Sequence, residues 1–121
     1  MLWVVLLLSA AGMVGGYAAE RAIIPKLQYR PGTPIEVVET CRQAAIAAAS
    51  THASEMGAQL TRVDATSAGE IRRTRSGLRA PVEVGIVYSR LGGREARQGI
   101  IECQIDRHGQ ATIADHAAAA R

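Results

Sequence analysis

Residues 2–19 carry no charged side chain and open on Leu-Trp-Val-Val-Leu-Leu-Leu. Eighteen residues at a rise of about 1.5 Å make a helix of roughly 27 Å, close to the hydrocarbon thickness of a bilayer. The run therefore addresses the chain to a membrane and leaves about 100 residues, too polar and too punctuated to be embedded there. Those residues suffice for one small domain with a marginal core. Phe is absent and the one Trp, Trp3, falls in the apolar run, so the core must come from Val, Ile, Leu, Ala and Cys with Tyr88.

The run reads as a retained anchor or a cleaved signal. A secretory signal has a basic n-region, an apolar stretch of about 7 to 15 residues and a small-residue cleavage site. Gly16-Tyr17-Ala18 offers such a site, but only the α-amino group precedes the apolar stretch, which is also longer than usual. A transmembrane anchor is the favoured reading. Gly12 and Gly16 form a GxxxG pair, with Ala11, Gly15 and Ala19 repeating the spacing beside it. Small residues so spaced let two helices approach closely, although Gly and Ala are common in membrane segments without any association.

Two signals disagree about orientation. Arg21, Lys26 and Arg30 follow the run and nothing basic precedes it, which by the positive-inside rule places the domain in the cytoplasm. Cys41 and Cys103 argue for an oxidising compartment, because an even number of cysteines in a small exported domain is the pattern of a disulfide. The extracytoplasmic, periplasmic side is the expectation adopted, as a single-pass membrane protein or, after cleavage, a soluble exported one.

Residues 20–32 contain Pro25 and Pro31 among scattered basic residues and read as a short, stiff linker. Thr33-Pro34-Ile35-Glu36 combines an N-cap Thr, a Pro at the first helical position and a Glu placed to bond back to the cap. With Gly57 as the stop, the helix runs for about 22 residues. At 100° per residue, Val37, Val38, Cys41, Ala44, Ala45, Ala48, Ala49, His52 and Met56 share one arc opposite a polar one. Ile46 and Ala53 extend that arc and are expected to face the linker or a protein partner.

From Leu60 the period falls to two. Residues 60–65 form a moderate strand, and residues 82–88 a strong one with Val82, Val84, Ile86 and Tyr88 on one face. Leu91-Gly92-Gly93-Arg94 is a hairpin turn, and residues 96–106 put Ile101, Cys103 and Ile105 on one face. A second turn at Asp106-Arg107-His108-Gly109 precedes a short strand at 111–114, and the Ala-rich tail at 116–121 is expected to be disordered. The fold expected for residues 33–115 is α+β, one amphipathic helix packed on a four-stranded antiparallel meander behind an N-terminal membrane helix. This order resembles cystatin-like and nuclear-transport-factor-like layouts, and also the globular part of pilin-like proteins, whose single unbroken helix Pro25 and Pro31 argue against. Layout alone implies no function.

Cys41 on the buried arc and Cys103 on the inward strand face are placed to form a disulfide, with buried thiols as the alternative. No CxxC pair and no zinc-ligand spacing is present, and no cofactor is indicated. His52 shares a helix face with Cys41, but eleven residues separate them by about 16 Å along the axis, too far for one to activate the other. It belongs instead near the helix C-terminus, whose dipole favours a protonated imidazole. Glu83 and Glu102 are possible cross-strand neighbours on the open sheet face, where solvated ion pairs with Arg explain them without catalysis. With no phosphate cradle, HExxH helix or nucleophile elbow in the chain, an enzyme is not expected and a small-molecule substrate is disfavoured.

Charge is the remaining signal. Between Glu70 and Arg97 stand Arg72, Arg73, Arg75, Arg79, Arg90, Arg94 and Arg97 against three acids, so this segment carries +4 and the rest of the chain −1. If the glycine-containing loop at 67–80 folds back beside the Gly92-Gly93 hairpin, these arginines make one basic patch for anionic lipid, polysaccharide or an acidic protein face. The patch has no aromatic platform for nucleic acid. Two functions follow as expectations: a non-enzymatic, membrane-anchored accessory protein docking onto another envelope protein, or an exported soluble domain binding an anionic ligand through the arginines.

Overall fold

The computed structural model describes residues 24–114. Gly12, Gly16 and the rest of the apolar run lie outside the described residues, as does the tail at 116–121. Among the described residues no helix is long and apolar enough to cross a membrane.

One helix, α1 (Ile35–Met56), is followed by β1 (Gln59–Ser67), β2 (Arg72–Thr74), β3 (Gly77–Arg90), β4 (Gly93–Asp106) and β5 (Ala111–Ala114). The fold is α+β, with α1 packed on one face of a five-stranded antiparallel sheet in the order β1-β3-β4-β5. This corrects the four-stranded expectation. The additional strand, β2, pairs with the first residues of β3 in the stretch expected as a loop, Arg72 opposite Arg79 and Thr74 opposite Gly77. Its three residues are all exposed, so no alternation of apolar side chains announces it. β1 and β2 thus lie end to end along one edge of β3, with a break at residues 68–71.

The helix buries a narrow stripe of Val38, Cys41, Ala45, Ala49 and Ala53. Ala53, expected at the margin and facing a partner, is 2% exposed, and Ile46 is half-buried against the core. Ala48, assigned to the buried arc, is exposed. Relative to the expected arc, the helix is turned by roughly 45° toward Ile46 and Ala53. A stripe made mostly of Ala has no bulky side chain to set its azimuth, so the fit against the sheet decides it. That sheet face presents Val63, Ala80, Val82, Val84, Tyr88, Ile101 and Cys103, in the register that sets Val82 opposite Ile101 and Ala80 opposite Cys103.

Thr33 does not cap the helix. No side chain caps the first turn, and Gly57 closes the other end in the left-handed conformation, with Ala58 N–H donating to the Ala53 carbonyl at 2.8 Å. Thr33 instead holds a crossing. Its N–H donates to Ser67 Oγ at 3.0 Å and its hydroxyl to the Gly69 carbonyl at 2.7 Å. Arg30 N–H donates to the Ser67 carbonyl, and Ile71 N–H to that of Gly32.

The described part of the segment expected as a linker, residues 24–32, is therefore built into the domain. Residues 25–28 lie on the sheet face opposite the helix, where a Cβ on Gly85 would meet Pro25 at 2.7 Å and Leu27 at 3.2 Å. Gln28 N–H donates to Glu83 Oε1, and Gln98 Nε2 to the Lys26 carbonyl. The strap then passes round the sheet edge through the break between β1 and β2, parallel to β1 at the Arg30 and Ala68 bridge, and enters α1. The crossing is tight: a Cβ on Gly32, at φ 134°, would stand 2.5 Å from the Glu70 backbone.

Candidate functional site: two basic ends of one sheet

Cys41 and Cys103 form a disulfide between α1 and β4, with Cα atoms 5.9 Å apart. Both residues are wholly buried. The bridge closes 62 residues and stabilises the fold by about 4 kcal/mol in the chain-entropy account. It is a clamp from helix to sheet.

β3 is 14 residues long, and its paired register separates the arginines into two groups. Arg79 and Arg90 are eleven residues apart on this strand, about 36 Å at strand rise. Arg72, Arg73, Arg75 and Arg79 occupy one end of the sheet. Arg90, Arg94 and Arg97 occupy the other, because the loop expected to fold back toward the Gly92-Gly93 hairpin instead pairs with the start of β3. The single patch expected from charge alone is thus two sites.

At the β2–β3 end, Arg72 and Arg79 are directly opposed. Like charges at that spacing repel, and the Glu102 carboxylate relieves this at 3.5 Å from Arg79 Nε. Strand alternation turns Arg73 to the other face, and Arg75 sits in the turn, its carbonyl accepting from Arg107 Nη2 at 2.7 Å. The side chains of Arg72, Arg73 and Arg75 are exposed and form no ion pair among the described residues. Nearby, Thr74, Arg79, Gln104, Asp106, Gln110 and Thr112 line a shallow depression of about 140 Å³. It is smaller than the roughly 300–1,000 Å³ of sites that bury a drug-sized ligand. Asp106 is committed to its own turn: the Gln110 and His108 backbone N–H groups donate to its Oδ1 and hold its pKa below the usual aspartate value.

At the other end a single carboxylate serves two arginines. Glu95 accepts from Arg97 Nε at 2.7 Å and from Arg90 Nη2 at 2.8 Å, and the bond from Arg97 is the chief cause of its lowered pKa. Arg97 also lies over the Tyr88 ring, 5.7 Å from its centroid, and meets His52 Nε2 at 3.2 Å. Because a guanidinium can only donate, that His52 nitrogen is the acceptor. His52 packs edge-on against Tyr88 at 5.8 Å, so it closes the core rim near the end of α1, with Arg97 on one side and the Glu55 carboxylate 3.9 Å from its Nδ1. Burial raises the Tyr88 phenol, with Arg97 opposing.

Glu83 and Glu102 are not directly opposed, since Glu83 faces Ile100 and Glu102 faces Pro81. Each has its own duty: Glu83 holds the strap through Gln28 and Gln98, and Glu102 pairs with Arg79. Among the described residues no cluster of His, Cys, Asp and Glu could hold a metal ion. Comparison with family models, curated proteins and solved structures finds no match to this chain.

Proposed function

We propose that the protein is a non-enzymatic accessory protein, anchored in a membrane by residues 2–19, whose α+β domain lies on the extracytoplasmic side and docks onto an acidic face of another envelope protein. The supporting observation is the set of exposed arginines without acidic partners, Arg72, Arg73 and Arg75, held on a hydrogen-bonded hairpin. They point to both faces and to the end of the sheet, a distribution that suits a concave acidic protein surface better than a flat one. Arg73 and Arg75 sit where charge sets association rate and partner choice. The disulfide supports the extracytoplasmic side, because such bonds persist in oxidising compartments. Ile46 and Ala53 are half-buried and buried in the domain's own core and take no part in this docking surface.

The test is photo-crosslinking in intact membranes from a reporter amino acid at Ser76, in the β2–β3 turn. A discrete protein adduct is expected from Ser76, and none from the same reporter at Ser50 on the exposed face of α1. Reversing charge at Arg72, Arg73 and Arg75 should remove the adduct while the Cys41–Cys103 bond stays intact. No adduct, or one that survives charge reversal, refutes the docking assignment.

A further inference from the structure

The strap has a direction. It lies over Gly85 at Pro25 and reaches the break beside Glu70 at Gly32, so it runs antiparallel to β3 and away from the β3–β4 turn. Its first described residues, Ile24 and Pro25, are therefore the part of the strap on the side of that turn. Leu91 in the turn is 105% exposed, the most exposed large apolar side chain among the described residues. It is set between Arg90 and Arg94 in a two-residue loop closed by the Arg90 and Gly93 pair. Leu91 stands six residues beyond Gly85 on one hairpin, about 20 Å at strand rise. The end of the apolar run, Ala19, is six residues before Pro25, and an extended chain of that length reaches at most about 21 Å. Tether and hairpin thus have the same reach from the same point on the sheet.

We infer that the β3–β4 tip, Arg90-Leu91-Gly92-Gly93-Arg94, rests on the anionic lipid surface beside the anchor, with Leu91 inserted at the headgroup boundary and the flanking arginines among the lipid phosphates. The inference rests on the reading of residues 2–19 as a membrane anchor. Arg90, Arg94 and Arg97 against Glu95 leave this end with a net charge of +2, and basic side chains beside a bilayer are attracted to anionic headgroups. The contact is weak on its own but acts at the high effective concentration that a short tether imposes. It orients the domain, because the Arg72 to Arg75 hairpin then lies at the far end of β3, directed away from the bilayer.

The full-length chain in vesicles tests this, with Trp3→Phe removing the native indole and Leu91→Trp supplying a reporter. Ser76→Trp, at the opposite end of β3, is the control. In vesicles of mixed phosphatidylcholine and phosphatidylglycerol, Leu91→Trp emission should be blue-shifted and quenched by lipids brominated on the acyl chains, while Ser76→Trp stays solvent-like and unquenched. Adding Arg90→Glu and Arg94→Glu should remove the blue shift while the protein still floats with the vesicles. Solvent-like Leu91→Trp emission in floated protein overturns the tip contact and leaves the anchor standing. Failure to float overturns both. A reporter buried in native membranes but solvent-like in pure lipid assigns Leu91 to a protein partner and also overturns the proposal.

Discussion

At the residue scale, two of the places where the structure leaves no slack make definite predictions. The first is the Cys41–Cys103 clamp, which joins a helix whose buried stripe is mainly Ala to the centre of the sheet. Replacing both cysteines with Ala should lower the unfolding free energy by about 4 kcal/mol, read as a fall in the urea midpoint, and reducing agent should reproduce the loss in the wild-type chain. A variant as stable as the parent would show that the Ala-lined interface suffices alone. The second is Gly32, where an added Cβ would collide with the Glu70 backbone at 2.5 Å in a conformation L side chains rarely adopt. Gly92, also at positive φ, has open space around it. Gly32→Ala should therefore cost about 3 kcal/mol or more and Gly92→Ala about 1 kcal/mol, since only the first adds a steric clash to the backbone strain. Equal midpoints in thermal melts of the two variants would mean that the crossing yields freely.

At the element scale, α1 carries the most strongly depressed carboxylate among the described residues. Glu39 accepts from Arg42 Nε and Nη2 and from Gln43 Nε2, and the hydrogen bond from Arg42 leads the causes that lower its pKa to about 2. A carboxylate depressed in the folded state contributes stability that is complete above its unfolded value and is lost as pH falls through its folded one. The window is thus from about pH 4.5 down to about 2. Because Glu39 is exposed, the effect should be modest: Glu39→Gln should slightly lower stability at pH 7, flatten the acid limb of a stability-against-pH curve measured by circular dichroism in that window, and converge on the parent near pH 2. An acid limb of unaltered slope would remove Glu39 from the account. Elements themselves differed in legibility. α1 and β3 to β5 were readable because apolar side chains recur at the period of each, and the cysteines were readable because both fall on core-facing positions of those patterns. β2 was not, being polar and exposed on every residue, and its pairing comes from the start of β3 extending past the end of β1. The strap was hidden for another reason: Pro25 and Pro31 stop a helix, and stopping a helix says nothing about which sheet face the chain then covers.

At the scale of the whole molecule, the length of β3 governs the arrangement of charge. The arginine excess at residues 70–97 was visible in composition, but composition carries no distance, and only the register of a 14-residue strand divides the excess between two ends. The same strand gives the molecule a polarity, with Leu91 at one end and Arg72, Arg73 and Arg75 at the other. That polarity is useful only if the N-terminal run is retained and the domain sits where its disulfide survives. Intact-mass measurement of the protein extracted from membranes joins the two conditions in one experiment. Retention of the run predicts the mass of the full 121-residue chain, whereas cleavage after Ala18 predicts a chain beginning at Ala19. Alkylation without reduction should add nothing, because Cys41 and Cys103 are the only cysteines and are joined, and alkylation after reduction and denaturation should add two groups. A truncated mass with a closed disulfide would replace the anchored protein with an exported soluble one. A full mass that takes up two groups without reduction would place the domain in a reducing compartment, on the side that Arg21, Lys26 and Arg30 favour.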